Sequence, residues 1–137
     1  MKRITHVLDT SALLAHFFDE PGAGIVEGLW AQGSAMPGIS VLTAAELRIR
    51  LGDELADNPE TEAAIGRYLD ELTVNLPVDR AIAECAWQLR TVASSRLPLV
   101  DAIIAATARS IGATLVHRDP HLRSIPEGLL DRIELPG

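Results

Sequence analysis

Short apolar runs rich in β-branched residues recur along this chain, separated by segments with helical spacing, and that alternation restricts the folds open to it. ITHVLD ends in a polar Asp-Thr-Ser, which predicts a buried strand leading into a helix cap. SALLAHFFDE and GIVEGLWAQ read as helices stopped at Pro21-Gly22 and near Gly33. SAMPGIS is a weaker strand candidate, interrupted by Pro37, and VLTAAELRIRLGDELA is helical with Gly52 as a kink or an end. Ile65, Leu69 and Leu72 lie at i, i+4 and i+7, one face of an amphipathic helix. After the extended piece TVNLPV, helical spacing returns at Val78, Ile82, Cys85, Ala86 and Leu89. VDAIIAATARSIG is a helix apolar almost all round, with Gly112 as its stop, and ATLVHR and DRIELPG are the final strands. Apolar strands without strict alternation, separated by helices, imply a parallel sheet covered on both faces. At 137 residues, with no repeat or linker, residues 1–137 are expected to form a single domain.

Several classes are disfavoured at this stage. No apolar run approaches the roughly 20 residues needed to span a bilayer. MKRITHVLDT lacks the apolar core of a signal peptide. The lone Cys85 cannot pair within the chain, so a reducing cytoplasm is the expected setting. The net charge of -7 opposes binding to nucleic acid by bulk electrostatics. Much of that charge is local, however. Asp53, Glu54, Asp57, Glu60, Glu62, Asp70 and Glu71 crowd one segment, which reads as a solvated helical face and its loop.

Four acids outside that segment each sit beside a short apolar stretch: Asp9 in VLDTSALLA, Glu46 in TAAELRI, Asp101 in LVDAIIAATA and Asp119 in LVHRDPHL. In open parallel sheets, ligands bind beyond the carboxyl ends of the strands. Asp9 and Asp119 lie at or just beyond such ends, and Asp101 opens the helix that precedes the Asp119 strand. The small side chains of Ala102, Ala105, Ala106 and Ala108 let that helix approach the sheet. Carboxylates gathered there would repel one another unless a cation neutralised them, and hard oxygen donors select Mg²⁺ or Mn²⁺. Each acid also has a structural reading. Asp9 is a possible helix cap, Thr43-Ala-Ala-Glu46 has the form of a capping box, Asp101 suits the positive end of a helix dipole, and Asp119-Pro120 could be an ordinary turn.

Together these motifs resemble the PIN-domain family of metal-dependent nucleases, in particular the VapC-type toxins of toxin–antitoxin pairs, over essentially the full chain. VLDTSALLA is similar to the family's first motif, TAAELRI to the one carrying its glutamate, LVDAIIAATA to the third and LVHRDPHL to the fourth. FFDEPGA resembles the helix end and Glu-Pro-Gly turn common in these toxins. The resemblance implies a three-layer α/β/α sandwich around a mainly parallel sheet. It implies Asp9, Glu46, Asp101 and Asp119 as the acidic, metal-holding catalytic site, with Ser11 as an accessory polar group. The fourth motif departs from the family pattern. His117 stands at its threonine or serine position and His121 where many relatives carry a later acid, so Asp119 is its sole carboxylate. Both histidines are expected at the surface or in a turn, with a role as ligand or acid–base group as the alternative. His6 and His16 are expected to be structural.

The implied activity is Mg²⁺- or Mn²⁺-dependent hydrolysis of RNA phosphodiesters, with Arg96 and Arg118 as candidates for holding substrate phosphates. The implied partners are a small antitoxin, for which Phe17, Phe18 and Trp30 offer a docking surface if they are not core residues, and a second copy of the chain in a homodimer. Two other readings stand beside this one. A PIN-like fold could act only as an RNA- or protein-binding module. An aspartyl-phosphate phosphatase would use Asp9 as nucleophile, but Ser11 occupies the place of its usual second acid and Lys2 is the only lysine.

Overall fold

The structure, a computed structural model, describes residues 3–33 and 36–137; Lys2 and the Ser34-Ala35 start of SAMPGIS lie outside the described residues. Five strands form one sheet: β1 (His6–Leu8), β2 (Gly38–Ser40), β3 (Val74–Leu76), β4 (Thr114–His117) and β5 (Arg132–Glu134). Their order is β3-β2-β1-β4-β5, and every pairing is parallel. The register sets Leu8 beside Val116 and Val7 beside Gly38, so β1 is flanked by β4 on one side and β2 on the other.

Among the described residues, seven α-helices connect and cover the sheet: α1 (Thr10–Phe17), α2 (Ala23–Ala31), α3 (Val41–Arg50), α4 (Gly52–Leu55), α5 (Pro59–Asp70), α6 (Arg80–Val92) and α7 (Leu99–Ser110). The chain steps outward from β1 to β2 to β3, then returns across the sheet to β4. Right-handed crossovers in opposite directions place their helices on opposite faces. The two cores follow that rule. Leu13, Val26, Leu47, Ile65 and Leu69, from α1, α2, α3 and α5, pack on one face against Leu8, Ile39 and Val116. Ile82, Ala86, Leu89, Ile104 and Ala105, from α6 and α7, pack on the other against Val7 and Leu115. Three layers result, as the resemblance implied. No helix among the described residues is long and apolar enough to cross a membrane.

Several local features depart from the expected ones. The long helix breaks at Leu51 (φ -100°, ψ 15°), leaving Gly52 as the first residue of α4. Pro120–Ser124 forms a 3₁₀ helix rather than a simple turn. His117 is buried at the end of β4 with 1% exposure, contrary to the expected surface position. Side chains alternate along β4, so His117 faces the same side as Leu115, toward the α6–α7 layer. Its Nδ1 has no hydrogen-bond partner. Phe18 is exposed while Phe17 packs against the first core. Trp30 is half-buried, and its indole N–H donates to the Leu72 carbonyl at 2.7 Å. His16 is structural as expected: it bonds the Tyr68 hydroxyl at 2.7 Å and Glu27 at 2.6 Å, tying α1 to α5 and α2.

The turn between α1 and α2 depends on Gly22. Its φ is +97°, and a Cβ there would lie 2.8 Å from the Leu135 Cβ. Leu135 is itself held, its N–H donating to the His117 carbonyl at 2.7 Å. Gly22→Ala therefore combines backbone strain with a contact that neither partner can relieve. It is expected to destabilise the fold by about 2 kcal/mol or more. Urea unfolding checks this, and an unchanged midpoint would refute it.

Candidate metal centre

The carboxyl edge of the sheet is where the acids meet. Asp9 directly follows β1, and its N–H donates to the Val116 carbonyl at 2.9 Å, extending the β1–β4 pairing by one residue. It also caps α1: one carboxylate oxygen, Oδ2, accepts from the Ser11 N–H at 3.2 Å and from the Ser11 hydroxyl at 2.5 Å. Ser11 Oγ in turn accepts from the Arg118 N–H at 2.9 Å, which pins the segment after β4 against the start of α1. Asp101 lies in the first turn of α7 and Asp119 caps the 3₁₀ helix, accepting from the His121 N–H at 2.9 Å.

Glu46 reaches this edge from α3. The capping-box reading of Thr43 and Glu46 is not what the structure shows. Ser40, at the end of β2, caps α3 by accepting from the Leu42 N–H at 3.2 Å. Glu46 is thereby free of the helix end, and its Oε1 accepts from the Thr10 hydroxyl at 2.7 Å. Thr10 was legible in the sequence only as a capping residue. Its hydroxyl is what turns the glutamate toward Asp9.

Asp101, Asp119 and His121 each offer a ligand atom within 4.8 Å of the others. His121 Nδ1 is 2.9 Å from Asp119 Oδ1 and 3.8 Å from Asp101 Oδ2. The turn histidine is thus part of the acidic cluster, a role the sequence carried only as an alternative. Among the described residues, no arginine or lysine lies within ion-pair distance of Asp9, Glu46, Asp101 or Asp119. Arg118 is instead paired with Glu20, at 2.7 Å, from the turn after α1. Arg96 is exposed between α6 and α7.

The lack of internal neutralisation appears in the acidities. Burial pushes Asp9 up to about 6, against the hydrogen bonds from Ser11 and with the charges of Asp119 and Glu46 adding to the rise. Burial likewise pushes Asp101 up to about 7, reinforced by the charges of Asp119, Asp9 and Glu46 and by a hydrogen bond to Asp119. Asp119 goes the other way. Burial opposes its ionisation, but the main-chain bond from His121, the bond from Asp101 and the His121 side chain together hold it below the ordinary range. With Asp101 pushed up and Asp119 held down, the pair favours a state with one charge rather than two. The residues fit a Mg²⁺ or Mn²⁺ ion: carboxylate oxygens predominate, two of the carboxylates are nearly buried, and among the described residues no arginine or lysine pairs with them. Asp101 and Asp119 with His121 would form one side of such a site, and Asp9 and Glu46 the other.

A parallel α/β domain with a cluster of acidic side chains at the carboxyl edge of its sheet is the class that this fold and site define. Residues 6–128 match the PIN domain model, and the chain belongs to the PIN domain family. No curated protein sequence matches it. Among solved structures, it is similar to VapBC2 from Rickettsia felis bound to a DNA fragment from their promoter. That match has a TM-score of 0.76 at 18% identity and covers 97% of this chain and 100% of the other. It is also similar to VapBC-5 from Mycobacterium tuberculosis, a member of the VapBC family of toxin–antitoxin systems, with a TM-score of 0.66 at 25% identity over 95% and 98% of the two chains. A third likeness is to VapC20 from Mycobacterium tuberculosis, a sarcin–ricin-loop-cleaving toxin, with a TM-score of 0.67 at 19% identity over 90% and 98%.

The raised pKa values of Asp9 and Asp101 have a measurable consequence. Asp9 and Asp101 start from 3.8 when unfolded, so the folded protein holds extra protons between that value and about 6 and 7. Their contribution to stability is fully present below the unfolded value and is lost as pH rises through the folded ones. In EDTA, Tm is expected to fall between pH 5.5 and 8, and Asp101→Asn to exceed wild type in Tm at pH 8. Added Mg²⁺ or Mn²⁺ should raise Tm more at pH 8 than at pH 5.5, because the ion competes with those protons. Scanning calorimetry decides it, and an Asp101→Asn protein less stable than wild type at pH 8 in EDTA would contradict this account.

Proposed function

We propose that this protein is a Mg²⁺- or Mn²⁺-dependent endoribonuclease that hydrolyses RNA phosphodiester bonds, and that it is the toxin of a toxin–antitoxin pair. The observation that carries the reading is the group of Asp9, Glu46, Asp101 and Asp119 at the carboxyl edge of a PIN domain, with no arginine or lysine among the described residues paired to any of them. The likeness to toxin–antitoxin complexes supports the second half, together with a small antitoxin as partner. A homodimer and a cytoplasmic setting belong to the same proposal.

Asp9, Asp101 and Asp119 are the proposed direct ligands, with Glu46 completing the set or orienting water. A divalent ion held by these residues would supply Lewis-acid chemistry, activating water near neutral pH and offsetting charge on the phosphate. The chain's own residues keep the donors in place. Ser11 holds one oxygen of Asp9 and leaves the other open, Thr10 aims Glu46, and His121 fixes Asp119 by its main chain and its ring. The anionic substrate can approach this edge only when the carboxylates are neutralised, so activity should depend steeply on the metal.

Purified protein is expected to cleave RNA with Mn²⁺ or Mg²⁺ and to stop in excess EDTA. Asp9→Asn and Asp101→Asn should each lower the rate by at least about 100-fold, and Thr10→Val, which releases Glu46, by roughly 10- to 100-fold. Cleavage that persists in EDTA, or in both Asn variants, would end the mechanism. RNA binding without metal-dependent cleavage would favour the silent binding module instead.

A further inference from the structure

We infer that Arg50 grips a backbone phosphate of the RNA next to the one that is cleaved, an inference that rests on the nuclease reading above. Arg50 is the last residue of α3, one helical turn after Glu46. Residues four apart share a helix face, and a helical side chain leans over the turn that precedes it. The guanidinium is therefore carried back toward Glu46 and the carboxylate edge. There it lines a cavity of about 360 Å³ together with Ser11, Arg118, Asp119 and His121. The cavity thus has acidic-centre residues on one wall and a guanidinium on another.

Arg50 differs in its pairing from its neighbours. Arg118, which shares the cavity, is bound to Glu20 at 2.7 Å, and Arg48, two residues earlier on α3, lies 3.7 Å from Glu62. Among the described residues, Arg50 has no acidic side chain within ion-pair distance. Glu46, the obvious i,i+4 partner, is engaged by the Thr10 hydroxyl instead. An exposed, unpaired guanidinium beside a cation centre, in a chain of net charge -7, suits a polyanion that must span both. A phosphodiester strand does so, with one phosphate at the acidic centre and its neighbour on Arg50, whose planar fork matches two phosphate oxygens. Arg50 is a positioning residue in this scheme and touches no reacting atom.

The test measures binding rather than turnover. Affinity for a labelled single-stranded RNA would be followed by fluorescence anisotropy at several salt concentrations, with Ca²⁺ filling the acidic site in place of Mg²⁺. Each phosphate contact on a single strand contributes about 0.7 to the slope of log affinity against log salt. Arg50→Ala is expected to weaken binding and lower that slope by about 0.7, while Arg50→Lys keeps the slope. Arg80→Ala, which removes a 92% exposed arginine side chain on α6, should leave the slope at the wild-type value. An Arg50→Ala slope equal to wild type, in a protein whose parent binds and cleaves RNA, overturns the inference and leaves the nuclease reading intact. A parent that neither binds nor cleaves RNA with metal present overturns both.

Discussion

Mutual repulsion among carboxylates that the fold forces together is the constraint on which the rest of this structure turns. Asp9 and Asp101 are nearly buried, with 3% and 8% exposure, and each feels the charges of the other acids at the edge. In water such groups would separate. Here Asp9 is anchored to a central strand and Asp101 to the helix packed beside it, so separation would mean breaking the core. The fold instead pushes the Asp101 pKa up, so that its charged form is disfavoured. Under the proposed function, stability and activity would be set against each other at the same atoms, a common condition of functional sites.

The sheet provides the gathering point, but three consecutive residues hold it closed. Asp9 supplies a donor group. Thr10 crosses to α3 and fixes Glu46, and Ser11 links Asp9 to the main chain of Arg118. The segment Asp9-Thr10-Ser11 thus joins the start of α1, the middle of α3 and the end of β4. A hydroxyl pair after the first acid suits this work because a hydroxyl can donate and accept at once. Ser11 does both, its hydroxyl donating a hydrogen bond to Asp9 and accepting one from the Arg118 N–H.

How far the sequence carried this picture depended on whether a residue's task was local. The strands, the helices and the stop at Gly112 follow from period and punctuation, and all appear in the structure close to where those signals lie. Asp9 and Asp101 were legible because a strand end and a helix start are local events. Glu46 was ambiguous because Ser40 and Thr43 are both plausible caps, and only the end of β2 decides between them. His117 was misjudged because its burial depends on which face of β4 meets the α6–α7 layer. His121 was ambiguous because its bonds to Asp119 are local but its approach to Asp101 is not, and Arg50 acquires its setting from segments far away in sequence. Nothing beside Arg50 in the chain says that Arg118 and Arg48 have acidic partners and that it does not.

The strand order bears finally on how such a chain is made. β4 is the fourth strand to be synthesised, yet it pairs directly with the first. Until it inserts beside β1, Asp119 is missing from the edge, Ser11 lacks the Arg118 N–H, and α7 has no complete sheet on which to settle Asp101. A growing chain carries Asp9 and Glu46 through most of its synthesis without possessing an acidic centre. Any product cut short before β4 lacks that centre altogether. The order of the strands thus delays the assembly of the acidic cluster until the domain is nearly whole.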